Sequence, residues 1–350
     1  MQSVSLPISK SIANRLLILQ SVHGDPLMRV SGLFVPDDVR LLHDALQAIH
    51  GMDRLSPLTL DLHNCGTAMR FLTAYCAQLD IPATFILDGD ERMRQRPVAQ
   101  EVDALRQLGA DIIYIGKEGF PPLRVRARRL DKKTLSMGTD APLLSSQFVS
   151  ALLLIGVDVQ TDDTSPYIAM TRRMIQSYEE CRGGSVEPDW SSAAFWYEYV
   201  ALRGGEIFLR DLQPSALQGD RCVADIFARL GVRTQYISEP GRKGTLLSRI
   251  PAFVRPVACA VDFSSCPDLY PAVAITCEMA GITLRAEGTE RLPYKESDRL
   301  LSVREHRTHH DHRVAMALLA AGLPCDDVSC IAKSYPHFAD ELRRIENDRK

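Results

Sequence analysis

Six stretches of this chain share one pattern: a short cluster of Ser, Gly, Asp or Pro runs directly into mostly apolar residues. They are SKSIANRLLILQSV from Ser9, GTAMRFLTAYCA from Gly66, SSQFVSALLL from Ser145, SSAAFWYEYVAL from Ser191, PDLYPAVAITCEMA from Pro267 and DHRVAMALLAAGL from Asp311. Small polar residues ahead of an apolar run are helix N-cap signals. A helix apolar on nearly every side is a buried helix. The pattern therefore predicts six buried helices.

Strand-like segments lie between them, at 83–87, 111–115, 123–125, 233–237 and 281–286. Two helix-exit phrases echo each other, LRQLGADI from Leu105 and FARLGVRT from Phe227. In each, Gly follows an amphipathic stretch and a strand follows the Gly. The unit reads as strand, helix, strand, buried helix, used repeatedly in an α/β protein. The pattern alone also fits a generic α/β protein with coincidental spacing. Solenoid repeats fit less well, because the units are long and dissimilar. The steps from Ser145 to Ser191 and from Pro267 to Asp311 leave too little chain for a full unit.

Composition narrows the class. At 350 residues, 45% apolar and 24% charged, the chain has room for two domains with substantial cores. A net charge of −3 argues against nucleic acid or an anionic membrane as partner, so any cationic site is local. The nine cysteines form no CxxC pair, which suits reduced thiols in a cytoplasmic protein better than a disulfide scaffold. The N-terminal MQSVSLPISK lacks a signal-peptide core, and one of the longest apolar runs, 148–157, is too short and too interrupted to span a membrane.

Candidate chemistry concentrates at two places. Near the start stands Ser9-Lys10-Ser11-Ile12-Ala13-Asn14-Arg15. Near the end stand Lys295-Glu296-Ser297-Asp298-Arg299 and Asp311-His312-Arg313. Cations mixed with small polar residues at helix starts present Lys, Arg and backbone N–H groups to an anion. Taken singly, these residues read as solvated faces or ordinary caps. Ser145, Ser146 and Gln147 offer more donors than one cap requires. Arg92, Arg94 and Arg96 alternate in a loop. His306, His309, His310, Asp311 and His312 suggest a metal site, but no Cys or Glu at ligand spacing accompanies them.

Together the motifs resemble the 5-enolpyruvylshikimate-3-phosphate (EPSP) synthase family of enolpyruvyl transferases. The similar stretches are LPISKSIANR (6–15), NCGTAMRFL (64–72), DGDERMRQRPV (88–98), SSQFVSALL (145–153), SPYIAMT (165–171), CPDLYPAVA (266–274), KESDRL (295–300), DHRVAM (311–316) and KSYPHF (333–338). They run in the family's order along nearly the whole chain. The resemblance implies two similar domains, each of three βαβαββ units in an inside-out α/β barrel, with the active site in the interdomain cleft. Residues 9–188 would form an inserted N-terminal domain, and 1–8 plus 189–350 the C-terminal domain.

The same resemblance implies site roles. Lys10, Asn64, Gly66, Arg96, Arg299, Arg313 and Lys333 would bind phosphoenolpyruvate. Ser11, Arg15, Ser145, Ser146, Gln147, Thr164, Asp268, Arg291 and Lys295 would bind shikimate 3-phosphate. Thr164 stands where the family usually has Ser, and Arg291 where some members have Asn. Asp268 would accept the proton of the shikimate 5-hydroxyl, Glu296 would exchange a proton with the methylene carbon, and Lys10 would assist catalysis. No metal or organic cofactor is implied, the partners are the two small molecules, and a monomer is expected.

Two rivals remain. The related transferase acting on UDP-N-acetylglucosamine typically has Lys-Asn where this chain has Lys10-Ser11. A non-catalytic anion-binding protein of the same fold gains weight from three short junctions, between 154 and 164, 176 and 187, and 304 and 311. Either these are deletions, or the numbering closes over residues of a longer polypeptide. The near-complete motif set favours the second, and an intact mass above 39.0 kDa would separate them.

Overall fold

A computed structural model describes residues 2–53, 56–131, 134–138, 142–183 and 185–348. All six apolar stretches are helices: Lys10–His23, Gly66–Gln78, Ser146–Leu154, Trp190–Arg203, Tyr270–Ala280 and His312–Ala321. Polar side chains cap three of them. Ser145 Oγ accepts from the Gln147 N–H (3.3 Å), Asp189 from Ser192 (2.9 Å) and Asp311 from Arg313 (2.9 Å), which satisfies N–H groups that the helix leaves unpaired. Among the described residues no helix is long and apolar enough to cross a membrane.

The chain divides into two compact units. The first comprises Met1–Lys10, Ser31–Asp37 and Val186–Lys350. Its four-stranded sheet has the order Gln2–Ser5, Glu206–Arg210, Arg242–Arg249, Val232–Glu239. The first pair is parallel and the other two antiparallel. The N-terminal strand is held in register by Val4 opposite Leu209, both buried. Tyr335 locks it further: its hydroxyl donates to Ser5 O (2.9 Å) and receives Trp196 Nε1–H (3.3 Å). The Trp190–Arg203, Tyr270–Ala280 and His312–Ala321 helices each pack against the other two. Trp196, Ile275 and Met316 belong to the core they share.

The second unit comprises Ser11–Val30 and Asp38–Ser185. Its four-stranded sheet has the order Leu58–Asp61, Thr84–Asp88, Leu123–Arg126, Asp111–Tyr114, with the same succession of one parallel and two antiparallel pairings. Each unit also holds a two-stranded parallel sheet: Ala258–Asp262 with Thr283–Glu287 in the first, Thr134–Ser136 with Asp158–Gln160 in the second. Ser31–Asp37 lies with the first unit, whereas the family resemblance would set that segment in the inserted domain. Ile8 N–H donates to Phe34 O (3.1 Å) and holds it beside the N-terminal strand.

The units are built from the same three β/α repeats, unequally complete among the described residues. One repeat in each runs the full βαβαββ course, from Leu58 to Arg126 in the second unit. In the first unit Gln2–Ser5 supplies its opening strand and the rest runs from Trp190 to Arg249. A second repeat stops at βαβα, ending in the Pro166–Gln176 helix or the Arg299–Glu305 helix. A third is a pair of helices, Lys10–His23 with Asp37–Gly51, or His312–Ala321 with Phe338–Asn347. Two of the short junctions, 176–187 and 304–311, thus fall where a second repeat would add its last two strands. At 304–311 the backbone turns sharply through His306, His309 and His310, all at positive φ (52°, 45° and 60°), a conformation uncommon outside glycine.

Candidate active site

In the first unit the starts of the three buried helices carry charge. Asp189, Asp268 and Asp311 stand at or just before these starts. Arg299 is fully buried, and its three nitrogens each meet a different carboxylate: Nε to Asp311 (2.8 Å), Nη1 to Asp268 (2.7 Å), Nη2 to Glu296 (2.9 Å). It therefore fixes the expected acid and base relative to each other. Asp268 also meets Arg313 Nη2 (2.8 Å) and Lys295 Nζ (3.4 Å). Burial alone would raise its pKa, but Arg313, Lys295 and Arg299 together hold the carboxyl well below the usual range. Burial conversely lowers Lys295, against the pull of Asp268.

Lys10 is buried at the start of its helix, and its charge reaches Asp189 and His312. His312 is buried with Nε2 2.5 Å from Arg313 Nη1, so Nε2 accepts and Nδ1 carries the proton. Burial keeps this imidazole neutral, and Lys10 and Arg313 act in the same direction. Lys333 ends the short helical turn Ser329–Lys333 and also adds its charge near His312. Arg291 is half-buried just before the turn Leu292–Tyr294.

Motif reading passed over Asp220. It receives the Ser191 hydroxyl at 2.5 Å, and burial together with the charge of Asp268 pushes its carboxyl up to about 7. Its sequence signal, Gln218-Gly219-Asp220 ahead of a helix, is faint. The histidines of the 304–311 turn pair separately with carboxylates: His306 with Glu278 (3.1 Å), His309 with Glu305 (3.5 Å), His310 with Asp327 (2.6 Å). Among the described residues no three His, Cys, Asp or Glu side chains gather as a metal-binding group.

The second unit gathers arginines. Arg15 is 2% exposed, and its hydrogen-bond acceptors among the described residues are neutral: Thr171 Oγ1 (2.7 Å), Ser11 O (2.9 Å), Ser150 Oγ (3.2 Å) and Tyr167 O (3.3 Å). Burial lowers its pKa to about 10. A buried cation solvated only by dipoles is poised for an anion. Arg96 Nη1 donates to Asn64 through both its backbone O (3.3 Å) and Oδ1 (3.2 Å). Gly66 begins its helix between two guanidiniums: a Cβ there would lie 2.5 Å from both Arg70 Nη1 and Arg96 Nη2. Ser146 is buried, while Thr164 is exposed and leaves the capping of the Pro166–Gln176 helix to Ser165. Arg70 and Glu101 are both buried beside this group; Arg70 lies in the stretch 64–72 with no role assigned to it, and Glu101 lies outside every motif.

Comparison with known proteins agrees over nearly the whole chain. Residues 2–180 and 179–306 match the family model described as EPSP synthase (3-phosphoshikimate 1-carboxyvinyltransferase). A Bacteroides fragilis protein named 3-phosphoshikimate 1-carboxyvinyltransferase is 31% identical over 411 aligned positions, covering 98% of this chain and 94% of the relative. A Colwellia psychrerythraea protein of the same name is 28% identical, covering 98% and 96%. The alignments exceed 350 positions because the relatives carry residues with no counterpart in this sequence. A solved EPSP synthase from Acinetobacter baumannii superposes with a TM-score of 0.65 at 20% identity, covering 98% of this chain and 95% of that one, a likeness of fold.

Proposed function

Because this chain belongs to the EPSP synthase family, we propose that it transfers the enolpyruvyl group of phosphoenolpyruvate to the 5-hydroxyl of shikimate 3-phosphate and releases phosphate. The observation that carries this reading is the carboxylate pair Asp268 and Glu296, bridged by buried Arg299 and bordered by Lys295 and Arg313. Addition followed by elimination needs a base for the hydroxyl, an acid for the methylene carbon and fixed positive charge for the phosphate and carboxylate.

Asp268 takes the hydroxyl proton while Glu296 delivers one to the methylene carbon, and the hydroxyl oxygen bonds to the adjacent carbon. The tetrahedral adduct then returns a proton from its new methyl group to Glu296 and expels phosphate. With its pKa held down by three cations, Asp268 is a weak base in the free protein. When substrate anions occupy Lys295 and Arg313, those cations stabilise Asp268 less and its basicity rises. Substrate binding thereby arms the base.

Arg15, Ser11, Ser145, Ser146, Gln147 and Thr164, with Lys295 and Arg291, are the acceptor set of this reading. Lys10, Asn64, Gly66, Arg96, Arg299, Arg313 and Lys333 are the donor set. A cytoplasmic setting belongs to the same reading, supported by eight free cysteines among the described residues. The test is phosphate release from phosphoenolpyruvate in the presence of shikimate 3-phosphate, with UDP-N-acetylglucosamine as the control acceptor. Release with shikimate 3-phosphate alone supports the proposal. Binding without release would leave an anion-binding protein, and release with the nucleotide sugar would reassign the acceptor.

A further inference from the structure

Resting on that reading of Gln147 as an acceptor contact, we propose that Arg70, outside the family motif assignments, is a positioning residue. It sets the acceptor amide of Gln147 in one orientation. Arg70 Nη1 donates to Gln147 Oε1 at 2.8 Å, and Gln147 Nε2 donates to Thr67 Oγ1 at 3.0 Å. A reversed amide would set its NH₂ against a guanidinium, donor against donor, so only one orientation is satisfied. Arg70 cannot swing away easily. It is buried, lies over the Phe148 ring at 5.2 Å, and abuts Gly66 so closely that a Cβ there would collide with it. Its charge is felt by Glu101, which is 0% exposed, has no hydrogen-bond partner for either carboxyl oxygen among the described residues, and is pushed by burial well above the ordinary carboxyl range. Arg70 opposes the neutralisation that burial imposes on that carboxyl. The Gly66–Gln78 helix thus projects a fixed cation whose function is to aim a side chain on the Ser146–Leu154 helix.

The test is steady-state kinetics on the intact protein with both substrates varied, for Arg70→Met, Arg70→Lys, Thr67→Val and the Arg70→Met/Gln147→Ala pair. Losing a charge-assisted hydrogen bond to the amide is expected to raise the KM for shikimate 3-phosphate about tenfold, with the KM for phosphoenolpyruvate unchanged. Thr67→Val should give a smaller rise in the same direction. The double variant should be no worse than Gln147→Ala alone. If Arg70→Met does not fold because Glu101 is left buried without a cation, Arg70→Lys and Thr67→Val decide the matter. A rise confined to the phosphoenolpyruvate KM, unchanged constants, or additive losses in the double variant would overturn the assignment. A wild-type protein inactive with these substrates would instead overturn the functional reading, while direct binding of shikimate 3-phosphate to the variants would still test the amide.

Discussion

At Gly66 a single hydrogen atom is the difference between a site with two converging guanidiniums and one without. A methyl group there would overlap Arg70 Nη1 and Arg96 Nη2, the far ends of flexible side chains. The backbone can stay in place, but Arg96 would leave the carbonyls of Asn64, and Arg70, packed where it stands, would be pressed against Gln147. Gly66→Ala is therefore expected to raise the KM for phosphoenolpyruvate roughly tenfold, the cost of one charged hydrogen bond. Its melting temperature should stay within a few degrees of wild type. Kinetics and a thermal melt on one sample check this, and a large loss of Tm with an unchanged KM would place the role of Gly66 in folding. Gly66 and Arg15 were legible in the sequence because they sit at the polar edge of an apolar run. The roles of Arg70 and Glu101 were not: Arg70 sits a turn inside its helix within a quoted stretch and Glu101 lies outside every stretch, and only packing shows what they touch.

Helices were legible for a different reason from strands. A cap and an apolar run are contained in one continuous segment, so all six buried helices could be read directly. The strands at 58–61, 134–136, 158–160 and 258–262 are three to five residues long and acquire identity only from their neighbours. Asp189 belongs to the same lesson, since a cap is a local signal while its place beside Arg313 is not. Buried helices also conceal costs. Glu198, inside the Trp190–Arg203 helix, is 0% exposed and neither carboxylate oxygen has a hydrogen-bond partner among the described residues. Burial pushes its pKa well above the ordinary value. A raised acid pKa favours the folded state most below the unfolded carboxyl pKa, and that contribution is lost as pH rises toward the folded pKa. Across that window the loss approaches about 1.4 kcal/mol per pH unit. Glu198→Leu removes the titration, so its Tm should exceed wild type by more at pH 8 than at pH 5. Melts at the two pH values decide, and a gap that narrows with rising pH would mean that Glu198 has a partner in solution.

On the scale of the whole chain, the two units neutralise their buried cations differently. In the first, Arg299 is surrounded by three carboxylates, and Arg313 and Lys295 meet Asp268. In the second, Arg15 has neutral acceptors alone among the described residues and carries its charge at the expense of a lowered pKa. A free anion gains little where internal carboxylates already compete for the cation, and gains most where only dipoles do. Inorganic phosphate should therefore stabilise the second unit selectively. Each unit has its own core, so calorimetry should resolve two transitions, and Glu198→Leu identifies the first unit's transition by shifting it. Phosphate at about 100 times its dissociation constant would add roughly 2.7 kcal/mol to the transition it binds, which should raise the second unit's transition by roughly 5–11 °C. Arg15→Met should abolish that response without lowering the Tm of the phosphate-free protein, because it removes a desolvated charge while Thr171 and Ser150 retain each other at 2.9 Å. Phosphate that raises the Glu198-marked transition instead would show that the carboxylates around Arg299 yield to an external anion, and the division of labour drawn from charge balance would have to be reversed.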